Sequence, residues 1–257
     1  MGTFTVTAVQ YNIAWEDKQA NFRKIEKLIR HIGQTDIIVL PEMFSTGFSM
    51  NVSGMAEPMD GPTVQWMQKT AAEKNAAVCG SIIVKENNCF YNRLLFVLPE
   101  GTVNKYDKRH LFTMGAEQKN YSPGTERVIV TFRGIRIILL TCYDLRFPVW
   151  SRNRNDYDLM AYVANWPAPR HKVWKTLLRA RAIENQSYLV AANRTGTDAN
   201  GIVYRGGSYT IDAKGKITRR LPKNAEGFIT EKFSMDSLIK FRQKFPVLAD
   251  ADPHIVS

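Results

Sequence analysis

Three residues of this 257-residue chain stand where an apolar run gives way to reactive chemistry. Cys142 follows the run Ile135–Leu140, and Pro148 suits the first turn of a helix just beyond it. A thiol between a strand end and a helix start meets the positive end of the helix dipole, which favours the thiolate. Cysteine is also a common buried residue, and Cys79 and Cys89, which lack such a setting, read as packing residues. Glu42 ends the apolar strand Asp36–Leu40 after Pro41, and Met43 and Phe44 follow it. A carboxylate placed there loses water on several sides, the setting of a general base. Lys108 lies in Tyr106–Phe112, where Leu111 and Phe112 turn the segment inward and an ammonium could stabilise an oxyanion. Two apolar strands that each deliver a reactive group, Glu42 and Cys142, sharpen the reading, whereas one lysine among 35 basic residues means little alone. A second carboxylate, Glu117, lies nine residues beyond Lys108.

These groups need rigid elements behind them. Strand-like runs recur at 3–9, 36–40, 77–84, 93–98, 128–132, 135–141, 159–164, 187–192, 207–211 and 227–231, many of them nearly continuous in Val and Ile. Phe22, Ile25, Ile29 and Ile32 fall at helical spacing, and 62–75 and 170–185 also read as helices. Hairpin signals stand at Pro99-Glu100-Gly101 and Ala213-Lys214-Gly215. Strands joined by both helices and hairpins make mixed sheets. About ten strands exceed one comfortable open sheet, so two packed sheets with helices outside are expected.

Leu40-Pro41-Glu42, Tyr106–Phe112 and Cys142–Pro148 together resemble the nitrilase (carbon–nitrogen hydrolase) superfamily, whose triad is Glu, Lys and Cys in that chain order. Ala164-Asn165-Trp166-Pro167 and the run Arg179–Gln186 continue the resemblance, which spans about residues 3 to 245. Arg146–Asn153, Asn165–Arg170 and Lys244-Phe245-Pro246 are similar to the bacterial omega-amidase branch. The resemblance implies an α/β fold, a four-layer αββα sandwich of two mixed sheets flanked by helices, in one domain over 1–257 that dimerises. It places the 170–185 helix, with Trp174, Leu177 and Leu178, near the subunit contact. It implies no metal or organic cofactor. Glu42 would be the proton shuttle, Cys142 the nucleophile, and Lys108 with the Tyr143 backbone N–H the oxyanion donors, while Glu117 supports Lys108. The implied substrates are the ω-amides of small 2-oxo dicarboxylic acids. Phe44, Asn165, Trp166 and Arg170 are candidate pocket residues. For Arg146, internal pairing with Asp144 or a backbone carbonyl is the preferred reading.

Other readings compete. His110 and His171 could serve a Cys–His dyad, but no papain-like or caspase-like signature surrounds Cys142, so the histidines read as structural. Another carbon–nitrogen hydrolase activity, or a non-catalytic binding module of the same fold, remains an alternative. The net charge of +11 could suggest nucleic acid. Residues 101–220 hold 21 Lys+Arg against 9 Asp+Glu and so carry the whole excess, +12. No nucleic-acid-binding signature accompanies it, and attraction of small anions is the natural by-product. Three cysteines are too few for a disulfide scaffold, and no run could span a membrane. A cytoplasmic protein is expected.

Overall fold

A computed structural model describes residues 2–251; the outer ends of the expected 1–257 domain lie outside the described residues. In the first half, β1 (Thr3–Gln10), α1 (Lys18–Ile29), β2 (Ile37–Val39), α2 (Val52–Met55), α3 (Pro62–Lys74), β3 (Ala77–Glu86), β4 (Cys89–Val97) and β5 (Val103–Asp107) follow in turn. The second half contains β6 (Ile129–Phe132), β7 (Ile135–Thr141), α4 (Pro148–Ser151), β8 (Leu159–Ala164), α5 (His171–Glu184), β9 (Tyr188–Asn193), β10 (Thr195–Thr197), β11 (Val203–Arg205), β12 (Tyr209–Ile211), β13 (Ile217–Arg220), β14 (Gly227–Ser234) and α6 (Met235–Lys244).

Two six-stranded mixed sheets result, ordered β14-β1-β2-β3-β4-β5 and β13-β12-β9-β8-β7-β6. Each has a parallel centre, β1-β2-β3 in one and β7-β8-β9 in the other, flanked by antiparallel strands. The expected hairpins join β4 to β5 and β12 to β13. Between the sheets, Val6, Val39, Cys79 and Phe96 pack with Ile137, Leu139, Ala161 and Val190 in one buried cluster. The outer face of the first sheet meets α1 and α3 through Ile25, Ile29, Val64 and Met67. Trp174 and Leu178 bring α5 onto the second sheet. The two-sheet, helix-flanked architecture expected above is therefore present.

Two expectations need correction. Trp174 and Leu178 are fully buried within the subunit, and Trp174 Nε1 donates to the Gly207 carbonyl at 2.8 Å, so neither can face a partner. The pair β10–β11 was missed, because strands of three residues with no apolar alternation carry no periodic signal. Among the described residues no helix is long and apolar enough to cross a membrane.

Candidate active site

Parallel strands deliver side chains to the crevice beyond their C-terminal ends. β2 leads to Glu42, β7 to Cys142 and β8 to Asn165, while the antiparallel β5 leads to Lys108 from the same sheet as β2. Both bends after the apolar runs are sharp. Met43 (φ 44°) turns the chain just past Glu42, and Cys142 itself has φ 44°, a left-handed conformation that costs a non-glycine residue energy. Gly124 is required by close approach: a Cβ there would lie 2.1 Å from the Asp107 carbonyl, and Gly124 N–H donates to the Lys108 carbonyl at 3.0 Å.

The four expected groups meet. Lys108 Nζ donates to Glu42 Oε1 at 2.9 Å and to both oxygens of Glu117, at 3.0 and 2.8 Å. All three side chains are fully buried. Burial disfavours the ammonium, but Glu117 and Glu42 more than offset it and hold the Lys108 pKa well above its usual value. Burial and the nearby Glu42 push the Glu117 carboxyl up, against Lys108 and Asn92, which pull it down. Lys108 therefore stays a fixed positive point between two carboxyl groups.

Cys142 lies at the base of a cavity, reachable from it yet deep in protein. The expected thiolate is not what this environment favours. Burial raises the thiol pKa well above its usual value; Glu42, which also hydrogen-bonds the thiol, and Glu117 add to the rise, and Lys108 alone opposes it. The segment Cys142–Arg146 is a 3-10 helix of five residues, too short for its dipole to outweigh two carboxyl groups. Burial and the neighbouring carboxyl groups thus favour a neutral Cys142 thiol beside Glu42.

Sequence reasoning missed Asn92. Its Nδ2 donates to Glu42 Oε1 at 2.8 Å and Glu117 Oε1 at 3.0 Å, and its carbonyl accepts the Lys108 N–H at 3.0 Å. An asparagine inside the apolar strand β4 was the available signal, since a buried amide needs partners. Asn165 is also more than a pocket wall. Its N–H donates to Glu42 Oε2 at 2.8 Å and its Nδ2 to the Glu42 carbonyl at 2.6 Å, while its buried Oδ1 has no partner among the described residues.

The cavity measures about 400 Å³, a size for small ligands. Tyr143, Trp166 and Arg170 line it, as expected. Phe44 does not: the turn at Met43 sends its ring, fully buried, into the core beside Trp66 and Gly80, and Phe48 takes the wall position instead. Trp166 Nε1 donates to the Arg170 carbonyl at 2.9 Å. The Arg170 guanidinium lies 5.2 Å from the Phe112 ring centroid and that of Arg146 5.3 Å from Trp166. Among the described residues neither arginine has a carboxylate partner. The internal pairing expected for Arg146 is absent because Asp144 is already occupied by the Tyr106 hydroxyl, the His110 backbone and ring, and the Thr141 N–H. His110 stacks on Phe147 with ring centroids 3.8 Å apart and turns Nδ1 to Asp144, which leaves it out of the cavity lining.

The sequence pattern of the family described as carbon-nitrogen hydrolase matches residues 5–243, nearly the whole chain. The chain belongs to this family. It is 44% identical to omega-amidase YafV of Yersinia enterocolitica over 256 residues, 100% of both chains. To 2-oxoglutaramate amidase of Bacillus subtilis it is 33% identical, covering 96% of this chain and 97% of that one. Among solved structures, XC1258 of Xanthomonas campestris, a CN-hydrolase superfamily protein with an arsenic adduct in its active site, superposes with a TM-score of 0.97 at 41% identity, covering 100% of each chain.

Proposed function

We propose that the chain is an omega-amidase, a single-domain enzyme that hydrolyses the terminal amide of 2-oxoglutaramate and 2-oxosuccinamate to the 2-oxo dicarboxylic acid and ammonia. One observation carries this reading: Glu42, Lys108, Glu117 and Cys142 meet at the base of a cavity whose walls hold Arg146 and Arg170 without carboxylate partners. The relatives that bear the names omega-amidase and 2-oxoglutaramate amidase support the same substrate class.

The chemistry follows from the resting charges. Glu42 takes the thiol proton as Cys142 sulfur attacks the amide carbon, so no thiolate need be stored. The carbonyl π pair moves to oxygen, where Lys108 Nζ and the Tyr143 N–H stabilise it. Glu42 returns the proton to nitrogen, the C–N bond breaks, and ammonia leaves a thioester on Cys142. Glu42 then deprotonates water, which attacks the thioester. The C–S bond breaks, the acid departs, and the sulfur recovers its proton. Asn92, Asn165 and Lys108 hold the Glu42 carboxylate in place through both halves, and Glu117 holds Lys108. Arg170 takes the substrate carboxylate in a forked contact, with Arg146 on the neighbouring wall. No step calls for a metal or organic cofactor.

An ammonia-release panel tests the proposal. Turnover of 2-oxoglutaramate should lead, with nitriles inert and amides lacking the carboxylate much poorer. Faster turnover of a nitrile or an N-carbamoyl amine would overturn the substrate assignment. We also read the protein as a cytoplasmic homodimer. The exposed Val149 on α4 and the half-buried Val173 and Leu177, four residues apart on α5, support a contact through these helices. Sedimentation should give a dimer or larger even assembly, and a strict monomer at micromolar concentration would contradict it.

A further inference from the structure

A second cleft of about 770 Å³ lies across the turn Ala168–Arg170 from the catalytic cavity. Five cations enter it from separate segments: Lys172 and Lys175 from the start of α5, Arg205 from β11, Arg220 from β13 and Lys223 from the turn beyond. Among the described residues no Asp or Glu lines it, and none of the five has a carboxylate partner. Buried Tyr209 with Leu221 and Pro222 supplies an apolar side.

Three observations indicate that this arrangement lacks a counter-charge. The positive end of the α5 dipole favours anions, yet its first turn has no acidic residue and no side-chain cap, and Arg170, His171, Lys172 and Lys175 crowd there instead. Among the described residues the buried His171 Nδ1 has no partner, while Nε2 meets the Tyr209 hydroxyl at 3.0 Å. Burial, then the fields of Arg205, Lys223 and Lys175, push the His171 pKa below its usual value. The fields of three of these cations thus reach the same imidazole. The catalytic cavity uses Lys108, Arg146 and Arg170, which leaves most of the +12 excess of residues 101–220 without a role there.

We propose that this cleft is a second, non-catalytic site for a small, multiply charged anion of the phosphate class, such as an organic di- or triphosphate. Lysine point charges and arginine forks on separate arms suit phosphate oxygens. Five cations match more negative charge than a dicarboxylate carries. The lining is concave and offers no exposed aromatic platform, unlike a groove that tracks a nucleic-acid strand. The site also abuts the catalytic one. Ala168 and Pro169 line this cleft while Pro167 and Arg170 line the other, and on β11 Tyr204 and Arg205 alternate between the two.

The experiment is calorimetric titration of inorganic tripolyphosphate into the wild-type protein and into the Lys175→Glu/Lys223→Glu variant. Wild type should bind, and the variant should bind at least about tenfold more weakly. Basal turnover of the variant should match wild type, which reports an intact fold. Saturating 2-oxoglutarate should leave the tripolyphosphate affinity unchanged. No binding by wild type, equal affinity in the variant, or displacement by 2-oxoglutarate would overturn the proposal. So would random duplex DNA that binds more tightly than tripolyphosphate and loses that binding in the same variant.

Discussion

Replacing Lys108 with Met removes the one cation between two fully buried carboxyl groups. Breaking a buried ion pair from one side costs roughly 3–5 kcal/mol, because the remaining charge has neither water nor partner. Here Glu42 and Glu117 would keep the shared Asn92 amide, at 2.8 and 3.0 Å, and one backbone N–H each, from Asn165 and Phe112, but no cation between them, and would repel each other. A chain of this size loses roughly 2–4 °C of Tm per kcal/mol, so Lys108→Met should melt roughly 6–20 °C lower. Adding Glu117→Gln removes the excess negative charge and should restore part of the stability. It should restore no activity, because the oxyanion donor is still missing, a loss of at least ~2.7–4 kcal/mol in the barrier, or about 10²–10³ in kcat. Urea unfolding at fixed protein concentration, beside ammonia release from 2-oxoglutaramate, reads both effects. A single variant as stable as wild type would refute the buried-charge argument. A double variant that regains turnover would refute the role of Lys108 in the reaction.

The other substitutions separate roles in the same way. Glu42→Gln removes the neighbouring charge that, after burial, raises the Cys142 pKa. Its pH profile of iodoacetamide labelling should therefore move to lower pH while amide turnover is lost; an unmoved profile would contradict the environment described for the thiol. Arg170→Ala should raise KM for 2-oxoglutaramate more than it lowers kcat, as expected for a contact made in ground and transition states alike; an unchanged KM would release Arg170 from substrate binding. His110→Ala should keep substantial activity, since the ring packs on Phe147 and Asp144 rather than lining the cavity. A loss equal to that of Cys142→Ala would favour a Cys–His mechanism instead.

What the sequence made legible were groups at the ends of apolar runs. Glu42 and Cys142 each follow an apolar strand, so the pattern brought those two to one end, whereas Lys108 joined them only through the family resemblance. The environment of each was harder to read. The rise in the Cys142 pKa comes first from burial and then from Glu42 and Glu117, which are distant in sequence and close only after the two sheets pack. Asn92 is invisible for the same reason, its two carboxylate partners lying 50 and 25 residues away. Phe44 failed differently: a single left-handed residue, Met43, reverses the facing of whatever follows it, and no periodicity announces that turn. Arg146 went astray because Asp144, its nearest carboxylate in sequence, is engaged by Tyr106, His110 and Thr141 instead.

The central claim is a thioester on Cys142, and rapid acid quench with intact-mass analysis tests it most directly. Mixed with 2-oxoglutaramate and quenched within one turnover, the enzyme should gain the mass of the 2-oxo acid less one water, located by digestion on the Cys142 peptide. Cys142→Ala should show neither the adduct nor ammonia release while its fold stays intact. Wild-type turnover by that variant, or an adduct on Cys79 or Cys89 instead, would contradict the mechanism.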